Sequence, residues 1–196
     1  MVSVAILWGW KRFAGVMVLT FGGICRPGEP LQAVRRDLLL PRDLVVESPD
    51  ICYLCIRSPK GRRRGIGRVQ HVKISDRCYT KFLDHVFGRL QPEQPLFLGS
   101  PGTFRRRWDA ILSALSVPSK LALTPASMRA GGAVQSYRSD EEIAKILWKM
   151  RLRNMDTLQH YLQELGAVSV FLELPSSSKQ KIECTAQLFS LLLDLT

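Results

Sequence analysis

The order of apolar and polar positions divides the chain into helical stretches at both ends and a short β-prone middle. Residues 5 to 24 are apolar on every face apart from Lys11 and Arg12, the pattern of one helix buried all round. Gly22-Gly23 followed by Pro27-Gly28 predicts a turn at its end. A second, short helix is expected from about Pro30 to Arg36, with Leu38 to Leu40 and Pro41 closing that unit. Residues 51 to 57 (Ile-Cys-Tyr-Leu-Cys-Ile-Arg) and Val69 to Ile74 are β-prone, and the Gly- and Arg-rich stretch from Ser58 to Gly67 between them predicts a hairpin. Phe82, Val86 and Leu90 at helical spacing predict a helix over 77–90, followed by another over 103–115 with Thr103 as its cap. That cap places Arg105, Arg106 and Arg107 in the first turn, where they oppose the helix dipole and imply a role other than helix stability.

Residues 125–137, 139–150 and 155–165 read as three consecutive helices, the middle one opened by Ser139-Asp-Glu-Glu in capping-box form. Beyond a Pro175-Ser-Ser-Ser linker, Ile182, Ala186, Phe189 and Leu193 form the apolar stripe of a last helix over about 179–195. No internal repeat is visible. The class expected is mainly α with a small antiparallel β-hairpin or sheet, as a domain over 1–175 followed by a linker and helix over 176–196.

Composition narrows the class and leaves the partner open. A chain of 196 residues fits one domain with a real core, and 46% hydrophobic with 23% charged residues excludes collagen-like, mucin-like and wholly disordered chains. Lys and Arg number 28 against 17 Asp and Glu, so the net charge of +11 points to a polyanion, with nucleic acid, anionic lipid and acidic protein as the three choices. Lys11 and Arg12 cut the first apolar stretch into runs well short of the ~20 residues that span a bilayer, so no membrane helix is expected. The same pair follows Trp8 and Trp10, the reverse of the order in a secretory signal. Cys25, Cys52, Cys55, Cys78 and Cys184 are odd in number and scattered, and His71 and His85 do not stand at ligand spacing from them. Buried free thiols in a reducing compartment, nucleus or cytoplasm, are the reading, rather than a metal site.

Four stretches carry candidate chemistry. Arg57, Lys60, Arg62, Arg63, Arg64, Arg68 and Lys73 fall within seventeen residues with no acid among them, which suits phosphate contacts from a hairpin and equally a solvated loop or a nuclear localisation signal. Arg26-Pro-Gly-Glu29 is either a surface pair or an arginine fixed for phosphate by its carboxylate. Arg129 precedes Gly131-Gly132, a step that permits close approach of another segment, and beside a helix end it also reads as a surface arginine. Tyr161 shares a helical face with Leu158, Leu162 and Leu165, so taken alone it is a packed core tyrosine.

The order of these residues changes that reading. Arg26 with Glu29, a lysine in a hairpin, Arg129 before Gly-Gly, and Tyr161 a further 32 residues on resemble the catalytic domain of the tyrosine recombinases, the phage integrase-type family. Leu19-Thr-Phe-Gly-Gly-Ile-Cys-Arg26-Pro-Gly-Glu29-Pro-Leu31 looks like the first-arginine box, and Thr124-Pro-Ala-Ser-Met-Arg129-Ala-Gly-Gly-Ala133 like the second, in the form of eukaryotic mobile-element members. Asp156-Thr-Leu-Gln-His-Tyr161-Leu looks like the nucleophile box. The resemblance implies DNA as partner and strand cleavage and rejoining through a 3′-phosphotyrosine, in recombination or integration, without metal or nucleotide cofactor. It makes Tyr161 the nucleophile, Arg26 and Arg129 clamps on the nonbridging oxygens, Glu29 their support, and Lys60 the general acid at the leaving 5′-oxygen. Lys60 is chosen over Lys73 for its place in the turn. Arg57, Arg62, Arg63, Arg64, Arg68, Lys73, Arg105, Arg106 and Arg107 are then the further DNA contacts.

Two family positions differ. Ala126 stands where the second box usually begins with histidine, and Leu152 stands about nine residues before the tyrosine, where His or Trp is usual. Neither side chain can accept a proton or bind a phosphate. Trp148, one turn from Leu152, and His160, next to Tyr161, are the nearest replacements in sequence. These substitutions rank DNA binding above efficient cleavage, since a missing acid–base group typically costs ~10² to 10⁴ in rate. The chain also starts at what reads as the first helix of the catalytic domain, without the amino-terminal core-binding domain of the family.

Three functions are therefore carried forward: a recombinase catalytic domain, a noncatalytic DNA-binding relic of a mobile element, and a basic helical protein for a membrane surface or acidic partner. The last helix is expected either to dock on a neighbouring protomer, giving a homo-oligomer on DNA, or to fold back in cis.

Overall fold

The amino-terminal apolar run folds as two helices rather than one. In the computed structural model, which describes residues 1–44, 50–57, 59, 69–152, 154–159, 161–162 and 170–194, α1 (Val2–Leu7) ends before α2 (Lys11–Gly22) begins. Gly9 sits between them at φ +73°, and the Gly9 and Trp10 N–H groups donate back to the Ile6 and Ala5 carbonyls. A glycine in the left-handed region satisfies the last carbonyls of α1 and turns the chain. Apolar periodicity could not reveal the break, because Leu7 and Trp8 beside it are apolar although exposed, so the apolar run continues across it. The helix also ends earlier than residue 24, with Gly23 as its C-cap and Ile24 at φ +48°.

The helix expected from Pro30 instead begins earlier as α3 (Gly28–Gln32) and gives way to a 3₁₀ turn over Arg35–Asp37. Three antiparallel strands follow in the order β1 (Leu38–Leu39), β2 (Cys52–Ile56), β3 (Gln70–Ile74). Cys52 lies opposite Ile74 and Ile56 opposite Gln70, so Cys52, Leu54, Ile56, Val72 and Ile74 share the buried face. The two longer strands lie within the β-prone stretches; the two-residue β1, paired through Leu38 to Leu54, is too short to leave a pattern. The hairpin loop with Lys60, Arg62, Arg63, Arg64 and Arg68 lies outside the described residues.

The next helix starts where expected and ends three residues early, and the one after it starts two residues early. α4 (Arg77–Phe87) is capped by Asp76, whose carboxylate accepts the Tyr79 N–H at 2.8 Å. α5 (Pro101–Ala114) begins with proline, and its cap is Ser100, whose hydroxyl accepts the Thr103 N–H at 3.1 Å. Thr103 is thus inside the helix, and Arg105, Arg106 and Arg107 lie beyond its first turn, where the dipole argument against them lapses. α6 (Ser127–Arg138) and α7 (Ile143–Met150) follow, with Ser139 closing α6 and Glu142 at the N-cap of α7, so Ser139-Asp-Glu-Glu is not a capping box. The next helix, α8, is described over Met155–Gln159.

The stretch taken as a serine linker is the first turn of the last helix, α9 (Ser176–Asp194). This helix folds back on its own chain. Ser178 donates to the Ser116 carbonyl at 2.6 Å, Lys181 to the Ala114 carbonyl at 3.1 Å, and Ser3 of α1 to the Thr185 carbonyl at 2.6 Å. Ile182 and Leu192 pack on the main core. A cavity of about 430 Å³ remains between α9 and the body, lined by Met17, Phe21, Trp108, Met128, Ile182 and Phe189 among others.

That core surrounds α2, with Phe13, Phe82, Phe87, Phe104, Met17 and Leu19 all buried. A second, smaller cluster of Ile24, Ala133, Ile146, Met150 and Leu158 joins α6, α7 and α8. The two bodies meet where α6 crosses the end of α2. A Cβ on Gly132 would stand 2.2 Å from the Phe21 carbonyl oxygen, whereas one on Gly131 would approach nothing nearer than 3.4 Å. Gly132→Ala is therefore expected to destabilise by about 1–3 kcal/mol through overpacking, and Gly131→Ala to be neutral or stabilising by about 1 kcal/mol. Equal urea midpoints for the two variants would refute the close approach. Among the described residues no helix is long and apolar enough to cross a membrane.

Candidate functional site

The turn that ends α2 delivers one half of the site. Ile24 reverses the chain, the Cys25 N–H returns to the Thr20 carbonyl, and Arg26 arrives just before α3. Glu29, in the first turn of α3, accepts the Arg26 backbone N–H at 2.7 Å and lies 3.5 Å from the Arg26 guanidinium. An acid in that turn also complements the positive end of a helix.

The other half comes from the far end of α7. Arg151 closes that helix at φ +55°, and its Nη2 donates to Glu29 Oε2 at 2.6 Å, both side chains about nine-tenths buried. Arg129, in the first turn of α6 and 3% exposed, donates to the carbonyl of Met150 at 2.6 Å. Residues 150 and 151 thus hold both arginine boxes: the Met150 carbonyl fixes Arg129, and the Arg151 side chain reaches the carboxylate that fixes Arg26. Tyr161, half-buried against the second core cluster, lays its ring 5.7 Å from the Arg129 guanidinium carbon. Among the described residues its hydroxyl makes no hydrogen bond.

Among the described residues three guanidinium groups surround one carboxylate, a surplus of two positive charges. Nε and Nη1 of both Arg129 and Arg151 are buried and have no hydrogen-bond partner among the described residues. Burial lowers the pKa of Arg129 first, and Arg26 and then Arg151 push it the same way, while Tyr161 and Glu29 oppose them. Burial pushes the neighbouring Cys25 thiol up to about 12, with Glu29 adding to the effect, so this thiol stays protonated. Unpaired buried donors and unbalanced buried charge are both costly. An oxyanion would satisfy them, because the planar guanidinium fork matches phosphate and carboxylate.

Arg26, Glu29, Arg129 and Tyr161, separated by up to 135 residues, are therefore neighbours. Arg151 was missed, although it stands next to Leu152 in the basic run Lys149-Met-Arg151 that ends an amphipathic helix. Leu152 itself packs on the second cluster, Ala126 is exposed at the start of α6, and Trp148 is 62% exposed. His160 lies outside the described residues.

The other basic positions are scattered. Exposed Arg57 pairs with buried Asp37, and Lys73 lies opposite Tyr53 on β3. Arg105 pairs with Asp109 at 2.8 Å, Arg106 donates to the Thr103 hydroxyl at 3.1 Å, and Arg107 stacks 5.0 Å from the Trp10 ring. Among the described residues none of these shares a hydrogen bond or ion pair with the Arg26–Arg129 cluster. Nor does any group of three or more His, Cys, Asp and Glu side chains among them form a metal site. No family model and no curated protein matches the chain significantly.

Proposed function

We propose that the arginine cluster binds a DNA phosphodiester, and that the chain is a tyrosine recombinase-like strand transferase of the nucleus or cytoplasm. The observation that carries this reading is the buried surplus of positive charge around Glu29, with unpartnered guanidinium donors beside a tyrosine. In the reaction, Tyr161 Oη attacks phosphorus and the bond to the 5′-oxygen breaks. The phosphorus stays on the enzyme as a 3′-phosphotyrosine, which keeps the bond energy for rejoining. Arg26 and Arg129 stabilise the added charge on the nonbridging oxygens. The leaving oxygen takes a proton from Lys60, a role that rests on the resemblance alone, and the tyrosine proton goes to water because Ala126 and Leu152 offer no base.

A second reading is favoured by that last point: a noncatalytic DNA-binding module of the same fold. Leu152 is packed with apolar residues and Ala126 has no polar side chain to offer. A nicked duplex whose 5′ fragment diffuses away after cleavage separates the two. A covalent protein–DNA adduct that disappears in Tyr161→Phe is the expected result, with binding of the intact duplex unchanged in that variant. DNA binding that weakens steeply with salt but gives no adduct would leave the binding module. Binding to anionic liposomes and not to DNA at moderate salt would refute both.

A further inference from the structure

We infer that Arg151 is a third phosphate ligand of this site, acting beside Arg26 and Arg129. The inference rests on the reading that the cluster binds phosphate. Its basis is the way the residue is held. Arg151 ends α7 in the left-handed region, a conformation that favours glycine and strains other residues. The Arg151 N–H donates to the Trp148 carbonyl at 2.9 Å, and the Leu152 N–H to the Leu147 carbonyl at 3.0 Å, so the turn is fixed on both sides. The side chain is then buried to about nine-tenths, where a cation needs full pairing. Among the described residues only Nη2 is paired, to Glu29, and Nε and Nη1 are not. Its charge acts on Arg129 and on Cys25, which places it at the same centre as the two arginine boxes.

Charge arithmetic gives the residue a purpose. Arg26 and Arg129 against Glu29 leave one positive charge, enough for a diester monoanion. With Arg151 the surplus is two, which matches the dianionic phosphorane formed when Tyr161 adds to phosphorus. A guanidinium cannot take up the tyrosine proton, so Arg151 replaces the missing hydrogen-bond donors at Ala126 and Leu152 but not a missing base. Its contribution therefore favours a doubly charged ligand over a singly charged one.

The test compares wild type, Arg151→Gln and Arg151→Lys by titration at pH 8, where inorganic phosphate is a dianion, and with dimethyl phosphate as the monoanion. Wild type is expected to bind phosphate more tightly than dimethyl phosphate. Arg151→Gln should lose about 10- to 100-fold for phosphate, the effect of one charge-assisted hydrogen-bonded contact, and much less for dimethyl phosphate. Arg151→Lys should recover part of the loss. Thermal melts with and without phosphate separate a ligand from a structural role: a ligand variant loses the phosphate-induced rise in Tm, whereas a structural one drops equally in both conditions. Wild-type affinity unchanged in Arg151→Gln would overturn the inference and leave the phosphate site standing. If wild type bound neither phosphate nor DNA, both would fall.

Discussion

Glu29→Gln is expected to be among the most destabilising single changes in the molecule, lowering stability by about 3–5 kcal/mol, the usual consequence of leaving one partner of a buried ion pair unmatched. The effect comes mainly through Arg151. Arg26 is 43% exposed, so water screens it and its pairing contributes little, whereas Arg151 and Glu29 are 10% and 9% exposed. Removing the carboxylate charge leaves three guanidinium groups facing one another without an acid. For a domain of this size the loss corresponds to a fall in Tm of roughly 6–20 °C. Two controls identify the cause. High phosphate should restore part of the Tm by supplying the missing negative charge. Glu29→Gln combined with Arg151→Gln should be more stable than Glu29→Gln alone, and purely additive losses in that cycle would show that the two residues do not interact.

Arg129→Met is expected to behave in the opposite way. Among the described residues its guanidinium makes one hydrogen bond, to Met150, and has two unpartnered nitrogens in a setting where Arg26 and Arg151 repel it. Replacing such a buried cation with an apolar side chain of similar length is often neutral or stabilising by about 1–4 kcal/mol. Stability should therefore hold or rise, while adduct formation on nicked DNA falls by about 10³- to 10⁵-fold, the range found when a phosphoryl-directed arginine is lost. A variant that melts well below wild type would show that Arg129 supports the fold, and one that cleaves normally would remove it from the phosphate site. A residue that costs stability and is needed for chemistry is what a binding site makes of buried charge.

These expectations come from depth and contact, which sequence spacing conveys only in part. The strands Cys52–Ile56 and Gln70–Ile74 were legible because β-prone residues cluster on either side of a Gly- and Arg-rich stretch. Gly132 was legible as a point of close approach because no other residue type tolerates one. Arg26 and Glu29, three apart across a turn, could be paired on paper. Arg151 could not, since its meeting with Glu29 depends on how α7 docks across 122 residues of chain. The break at Gly9 was hidden for a different reason: exposed Leu7 and Trp8 are themselves apolar, so no polar position marks the end of α1. Caps were misplaced by a few residues at Thr103 and Ser139, where several hydroxyls and acids compete for the same role. Local chemistry thus pointed to Arg26, Glu29 and Arg129 as candidates, whereas element boundaries and the contact of Arg151 with Glu29 required the folded chain.

The bond between Ser3 and Thr185 has a consequence for how the molecule is made. It joins residues 182 positions apart, and the helix it anchors covers part of the apolar surface of the first two. On a ribosome adding about 5–20 residues per second, that surface waits roughly 10–40 s for its cover. During this interval that part of the core stays open to solvent, and its closure waits on synthesis of the last helix. Rapid translation or early chaperone capture should therefore raise the soluble yield more than any stabilising change within the sheet.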